Sequence, residues 1–287
     1  MPLVLSRRRF LQTGAGVIVS ACGSAENRST RWALLADTHI SADPQDQYRG
    51  FRPYENLKKI VPDVARFRPD GVLIDGDLAR LRGLEGDYAN LQALIEPLTA
   101  KHLTAMSLGN HDDRANFMAA VCASEAVPLQ PVRNKYVAVI ENPPVRLVIL
   151  DSLIRANETP GLLGQAQRTW LDNFLARAGT TPILLFVHHT LDDDDASLLD
   201  ADRFLRITAK HASVKAVFYG HSHRYKYDVL EGMHLVNLPA VGYNFRDSEP
   251  VGWVEATFTA QGAELRLNAF GGNTLPNGKT TSLSWRS

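Results

Sequence analysis

The chain has 287 residues, 45% of them hydrophobic, and its 31 Lys plus Arg balance 31 Asp plus Glu. This length and apolar share suit one catalytic domain with a real core, and the even balance excludes a global field that would draw the chain to nucleic acid or to an acidic partner. Two cysteines, Cys22 and Cys122, without CxxC spacing, exclude a disulfide scaffold, and Cys122 reads as a small buried apolar residue.

Residues 1–22 have a signal-peptide layout. The basic stretch Ser6-Arg7-Arg8-Arg9-Phe10-Leu11-Gln12 precedes a weakly apolar run, Thr13 to Ala21, too short for a permanent span of ~20 apolar residues. The stretch resembles a twin-arginine export signal, with Gln12 in place of the usual Lys. Val19-Ser20-Ala21-Cys22 resembles a bacterial lipobox. These resemblances imply passage of the folded protein through the twin-arginine export machinery to a periplasmic or other extracytoplasmic place. They also imply membrane association through a lipid anchor at Cys22. The alternative is a basic tail ending in an unmodified cysteine. Residues 23–30 are small and polar and read as a tether, and no later segment is apolar and long enough to cross a membrane.

Residues 31–270 read as the folded domain. The apolar run Ala33 to Ala36 ends in Asp37-Thr38-His39, and residues 43–54, with Tyr48, Arg49 and Arg52, form either a substrate lid or a plain surface loop. Leu57, Ile60, Val61, Val64 and Phe67 recur at helical spacing after Pro53. Gly71 to Ile74 leads into Asp75-Gly76-Asp77, Leu91, Leu94, Ile95 and Leu98 mark a second helix, and Ala105 to Leu108 precedes Gly109-Asn110-His111-Asp112. Strands are expected at 136–140 and 146–150, around Asn142-Pro143-Pro144, and a helix from Gly164 through Trp170, Leu171, Phe174 and Leu175. Ile183 to Val187 leads into His188-His189. Phe204 and Ile207 mark a weaker helix, and Val214 to Tyr219 leads into Gly220-His221-Ser222-His223. Strands follow at 235–238, 253–259 and 264–269, while residues 271–287, rich in Gly, Asn, Thr and Ser, read as a flexible tail. Alternating strands and helices followed by strands alone predict an α/β fold: a four-layer α-β-β-α sandwich of two packed mixed sheets with helices outside.

Buried strands read as short apolar runs, and open sheets present ligand-binding residues at the strands' carboxyl ends. Five such runs ending in Asp, Asn or His predict that one edge of one sheet gathers a metal site. Carboxylate and amide oxygens with imidazole nitrogens and no thiolate suit Zn, Mn, Fe or Co. In Gly220-His221-x-His223 two rings on an extended segment would point in parallel, so a turn at Gly220 is expected to redirect one. His189 either supports a ligand or is a simple loop residue. His102, His211 and His234 read as structural, and Asp192 to Asp195 as a solvated loop.

Asp37-x-His39, Gly76-Asp77, Gly109-Asn110-His111-Asp112, His188 and Gly220-His221-x-His223, in this order, resemble the calcineurin-like metallophosphoesterase superfamily. Asp151-Ser152 followed by Gly164, Gln167, Trp170 and Leu171 is similar to its bacterial cyclic-nucleotide and glycerophosphodiester branch. The resemblance implies two divalent metal ions bridged by Asp77: one held by Asp37, His39, Asp77 and His223, the other by Asp77, Asn110, His188 and His221. With a bridging hydroxide, such a centre carries about one net positive charge, matched to a phosphodiester. His111, oriented by Asp112, is the candidate general acid and, with Asp112, the candidate catalytic pair. Arg80 departs from the acidic or amide residue common three places after the bridging Asp, and either binds a phosphate oxygen or faces solvent. The expected function is an exported hydrolase of small phosphodiesters, with no nucleic-acid partner. The alternatives are a metal-dependent phosphomonoesterase or nucleotidase, and a non-catalytic surface metal-binding protein.

Overall fold

A computed structural model describes residues 28–121 and 130–287, so the export signal, Cys22, Cys122 and most of the tether lie outside the described residues. Twelve strands are described, in two six-stranded mixed sheets. The first has the order β12-β11-β10-β1-β2-β3 and contains β1 (Ser29–Ala36), β2 (Gly71–Asp75), β3 (Leu103–Met106), β10 (Pro250–Thr259), β11 (Gly262–Gly272) and β12 (Thr280–Ser284). The second has the order β4-β5-β6-β7-β9-β8 and contains β4 (Ala138–Asn142), β5 (Val145–Leu150), β6 (Ile183–Val187), β7 (Val214–Tyr219), β8 (Lys226–Leu230) and β9 (Met233–Asn237). Strands β1, β2 and β3 run parallel, as do β5, β6, β7 and β9.

The two-residue period of the central strands builds the layers. On β5 and β6, Leu147, Ile149, Leu184 and Phe186 belong to the larger core cluster, while Val148, Leu150, Leu185 and Val187 join α4 (Gly164–Leu175) and α5 (Ala201–Lys210) through Leu171, Leu175 and Phe204. Both faces are therefore apolar, which is why these strands read as continuous runs. The first sheet is covered likewise by α1 (Pro53–Phe67), α2 (Glu85–Thr99) and the short α3 (Arg114–Val121), through Leu57, Ile60, Val64, Leu91, Leu98 and Phe117. The expected four-layer sandwich is thus the observed fold. Among the described residues, no helix is long and apolar enough to cross a membrane.

Three expectations need correction. The metal-site residues do not come from one sheet: Asp37, Asp77 and Asn110 follow β1, β2 and β3, whereas His188 and His221 follow β6 and β7 of the second sheet. A single-chain pattern shows that a run ends a strand but not which sheet receives it. Secondly, the expected tether of 23–30 overlaps β1, because Ser29 and Thr30 already pair with Thr259 and Phe258. Thirdly, residues 271–287 are not a flexible tail. Strand β12 pairs antiparallel with β11 as the sheet edge, and its polar, largely exposed sequence reflects that edge position.

The carboxyl terminus is pinned beyond β12. Arg286 donates to the carbonyls of Val214 (3.0 Å), Glu231 (3.2 Å), Thr208 (3.0 Å) and His211 (2.9 Å), joining the end of α5 to β7. Replacing it with Ala orphans several carbonyls, and Arg286→Ala is expected to lower the unfolding free energy by about 2 kcal/mol in urea titrations. A change below about 0.5 kcal/mol would show that the terminus lies outside the cooperative core.

Candidate metal centre

Each expected ligand is aimed by a sharp turn placed directly after a strand. Asp37 (φ 51°), His39 (φ 48°), Asp77 (φ 44°), His221 (φ 68°) and His223 (φ 53°) all occupy the left-handed region, where residues with side chains are uncommon and strained. Backbone pairing holds the first three there: the amides of Asp37, His39 and Ile40 donate to the carbonyls of Gly76 (3.2 Å), Asp77 (2.8 Å) and Leu78 (2.9 Å), while the His221 amide donates to the Asp37 carboxylate (3.1 Å). The loops after β1 and β2 are thereby zipped together. Gly76 is itself left-handed, and a Cβ there would lie 2.3 Å from His188 Nδ1. Gly220 differs from expectation, since the turn is made by His221 and His223 themselves. What Gly220 provides is room, because a Cβ would lie 2.5 Å from Asp37 Oδ2.

The seven expected ligands converge. Donor atoms of Asp37, His39 and His223 lie within 4.8 Å of one another, and so do those of Asp77, His188 and His221, and of His39, Asp77 and His111. Asp77 Oδ2 stands 3.3 Å from His188 Nε2, 3.7 Å from His39 Nε2 and 4.0 Å from His111 Nε2. Asp37 Oδ1 stands 3.4 Å from His223 Nε2 and 3.8 Å from His188 Nε2. Asn110 lines the same cavity of about 420 Å³, and its Oδ1, like His188 Nε2, is buried without a hydrogen-bond partner. A buried polar atom left without a partner is costly. Two carboxylates, an amide oxygen and four imidazoles so arranged fit divalent metal ions.

All five histidines of the cluster spend their outer nitrogen on a main-chain carbonyl. His39 Nδ1 faces Arg80 (3.4 Å), His111 Nδ1 faces Leu81 (3.1 Å), His188 Nδ1 faces Asp75 (2.9 Å), His221 Nε2 faces Ala196 (2.9 Å) and His223 Nδ1 faces Tyr243 (2.6 Å). With one ring proton placed outward, the inner nitrogen is the one that can offer a lone pair to the cluster, on His188 once its second proton leaves.

The charges agree with a cation site. Burial pushes His39 down to about 3 and His221 down to about 4, so both rings are neutral at ordinary pH. Burial opposes ionisation of Asp77 and Asp37, but the neighbouring histidines outweigh it and hold both carboxylates below their usual range. Burial also opposes charge on His188, yet the Asp77 and Asp37 carboxylates prevail and lift it to about 10.

The surrounding residues revise several roles. Asp112 does not orient the His111 ring. Its carboxylate accepts the amides of Leu78 (3.1 Å), Ala79 (3.0 Å) and Gly109 (2.9 Å) and the Tyr88 hydroxyl (3.1 Å), so it ties the Asp77 loop to the Asn110 loop. His189 is a support: its Nδ1 lies 2.7 Å from Ser152 Oγ, and its ring packs on His221 and His188. Arg80 neither faces solvent nor stands open to a phosphate, because it pairs with Asp46 at 2.6 Å and sits over the rings of Tyr48 and Tyr243. The 43–54 segment is thereby docked beside the centre. Asp151 and Gln167 form a structural hub with Arg114. His211 and His234 are structural, bonded to Asp172 and to the Ser284 carbonyl.

Sequence reasoning missed Tyr243 and Phe245, which stack on His39 (4.6 Å) and His223 (4.1 Å). They arrive because the segment after β9 returns along β1, with the amides of Val241 and Gly242 donating to the Ala36 and Asp37 carbonyls (both 2.9 Å). No local motif announces that return.

Fold and ligand geometry together define an α/β protein with a candidate divalent-metal centre at the meeting edge of two sheets. Residues 30–225 match the calcineurin-like phosphoesterase family, and the chain belongs to that family, whose members are metal-dependent phosphoester hydrolases. Over 199 residues the chain is 25% identical to a probable glycerophosphodiester phosphodiesterase, GpdQ, of Arcobacter nitrofigilis, covering 66% of this chain and 70% of that one. Over 253 residues it is 23% identical to the 3',5'-cyclic adenosine monophosphate phosphodiesterase CpdA of Vibrio vulnificus, covering 82% and 87%. Its fold is similar to that of a dimetal phosphatase from Danio rerio, at a TM-score of 0.68 and 15% identity, over 90% of this chain and 99% of that one.

The raised His188 has a measurable consequence. Below about 10, metal-stripped protein keeps a proton on His188 that an incoming cation must displace. Metal affinity is therefore expected to rise with pH, by about tenfold per unit between about pH 6.5 and 8.5, in competition titrations with a chelator of known affinity. A flat profile would contradict the protonated ring.

Proposed function

We propose that the chain is an exported phosphodiesterase that uses two divalent metal ions, drawn from Zn, Mn, Fe and Co, to hydrolyse small phosphodiesters. The observation that carries this reading is the position of Asp77, a single carboxylate shared between two clusters of histidine and aspartate donors. Asp37, His39, Asp77 and His223 would hold one ion, and Asp77, Asn110, His188 and His221 the other. When bound, such a pair supplies an activated water and takes up charge on the phosphoryl oxygens.

The remaining steps belong to the chain's own side chains. His111 is held at the cavity by its amide, which donates to Asp77 Oδ1 at 2.9 Å, and by Nδ1–H, which donates to the Leu81 carbonyl. Nε2 is therefore the atom that hands a proton to the departing alkoxide. Its side chain is 21% exposed, so solvent can reprotonate it. Asp112 keeps the Asp77 and Asn110 loops in register and takes no part in proton transfer. The diester reading is supported by the two relatives, both named as phosphodiesterases.

The test is the ratio of turnover on bis(4-nitrophenyl) phosphate to that on 4-nitrophenyl phosphate, for metal-loaded protein. The diester is expected to be hydrolysed faster, and faster monoester turnover would make the chain a phosphomonoesterase instead. His111→Ala is expected to retain its metals by elemental analysis while kcat falls about 10² to 10⁴-fold. Unchanged kcat would remove the general-acid role.

Export rests on the basic stretch Arg7-Arg8-Arg9 and the small residues before Cys22. A protein exported already folded can carry metals loaded in the cytoplasm. Replacing Arg7 and Arg8 with Lys is expected to leave the unprocessed precursor inside the cell in a fractionation experiment, and normal processing would overturn the twin-arginine assignment.

A further inference from the structure

The cavity carries an exposed aromatic ring and two arginines among its lining residues. Phe245 lies with its ring stacked on His223 (centroids 4.1 Å apart, 23° between planes) and remains 47% exposed, so one face backs an expected ligand while the rest is open. Arg224 and Arg246 line the cavity with it. Among the described residues neither guanidinium has an ion-pair or hydrogen-bond partner, whereas nearby Arg80 and Arg49 are engaged by Asp46 and Asp247. The cavity is also lined by Asp192, Asp194 and Glu249; Asp194 is tied down by the Ala196 amide and the Ser197 hydroxyl, and Glu249 accepts the Tyr225 amide at 3.3 Å.

We propose that Phe245, Arg224 and Arg246 are the specificity-determining residues of this centre, selecting short nucleotide diesters that carry a nucleobase and one further phosphate. This rests on the phosphodiesterase reading and deepens it. The single charge of a diester is met at the metal-binding cluster, which leaves two unpaired guanidiniums for a second anion, and guanidinium matches phosphate through paired N–H donors. An exposed aromatic face beside them suits a flat base, since every base offers a π-face for stacking. A cationic headgroup would be repelled by the two arginines, which disfavours a diester of that kind beside Phe245. The volume of about 420 Å³ lies in the small-molecule range rather than that of a groove for a long strand. In the reaction a water oxygen bonds to phosphorus, the phosphorus–oxygen bond to one nucleoside breaks, and that alkoxide takes its proton from His111 Nε2, giving a monoester and an alcohol.

The experiment compares kcat/KM of the full, metal-loaded chain on three diesters: a thymidine dinucleotide bearing a 5'-phosphate, the same dinucleotide without it, and glycerophosphoethanolamine. The order given is the order expected, with steps of about tenfold, as one charge-assisted contact and one stacked base supply. Arg246→Gln and Arg224→Gln are expected to bring the first ratio towards one, through KM. Phe245→Leu is expected to reduce the dinucleotide preference over glycerophosphoethanolamine about tenfold, with metal content measured alongside because the ring packs on His223. Equal rates on all three substrates, preference for glycerophosphoethanolamine, or ratios unmoved by both arginine variants would overturn the proposal. Wild-type turnover of bis(4-nitrophenyl) phosphate separates the two readings: its absence defeats the phosphodiesterase reading, while its presence with flat specificity defeats only this one.

Discussion

The centre depends on holding two ionised carboxylates, Asp37 and Asp77, in a buried place surrounded by imidazoles. Burial opposes ionisation of both acids, and the charge and hydrogen bonds of the neighbouring histidines keep them ionised. The rest of the local structure follows from that requirement. Parallel strands from two sheets end together, left-handed residues turn the ligands inward, and Gly76 and Gly220 remove atoms that would collide with His188 and Asp37. The strain at Asp37, His39 and Asp77 is tolerated because the loops after β1 and β2 share a ladder of backbone hydrogen bonds, and His221 is held by its amide donating to the Asp37 carboxylate.

Asp112 shows how such a frame is kept rigid. Burial, with the Asp77 charge beside it, lifts its carboxyl to about 7, while the amides of Gly109, Ala79 and Leu78 draw it the other way. A fully buried acid that accepts three amides and a tyrosine hydroxyl is a clamp between two loops. Its neighbour His111 faces the cavity, so adjacent residues in Asn110-His111-Asp112 meet in turn the candidate metal site, the open cavity and the backbone.

Much of this was legible in the sequence because each ligand block sits directly behind a doubly buried strand, and such strands write themselves as unbroken apolar runs such as Ile183 to Val187. The helices α1, α2 and α4 were equally readable from their spacing. What was hidden has physical reasons. Whether β6 joins the sheet of β1 or the opposing one depends on tertiary pairing, and β12 is a polar edge strand with little apolar signal. The role of Asp112 could not be read from adjacency, since its side chain and that of His111 leave the backbone in different directions. Tyr243, Phe245 and the Arg80–Asp46 pair reach the centre only through long-range returns of the chain.

Every histidine of the cluster leans its outer nitrogen on a main-chain carbonyl rather than on another side chain. Ring orientation is thus inherited from the backbone, which substitution elsewhere hardly alters. The side chains of Arg224, Arg246 and Asp192 carry none of those carbonyl bonds. A lineage could therefore exchange the residues that greet a substrate while the reactive core stays intact, so that new substrate preferences can arise on one unchanged chemistry.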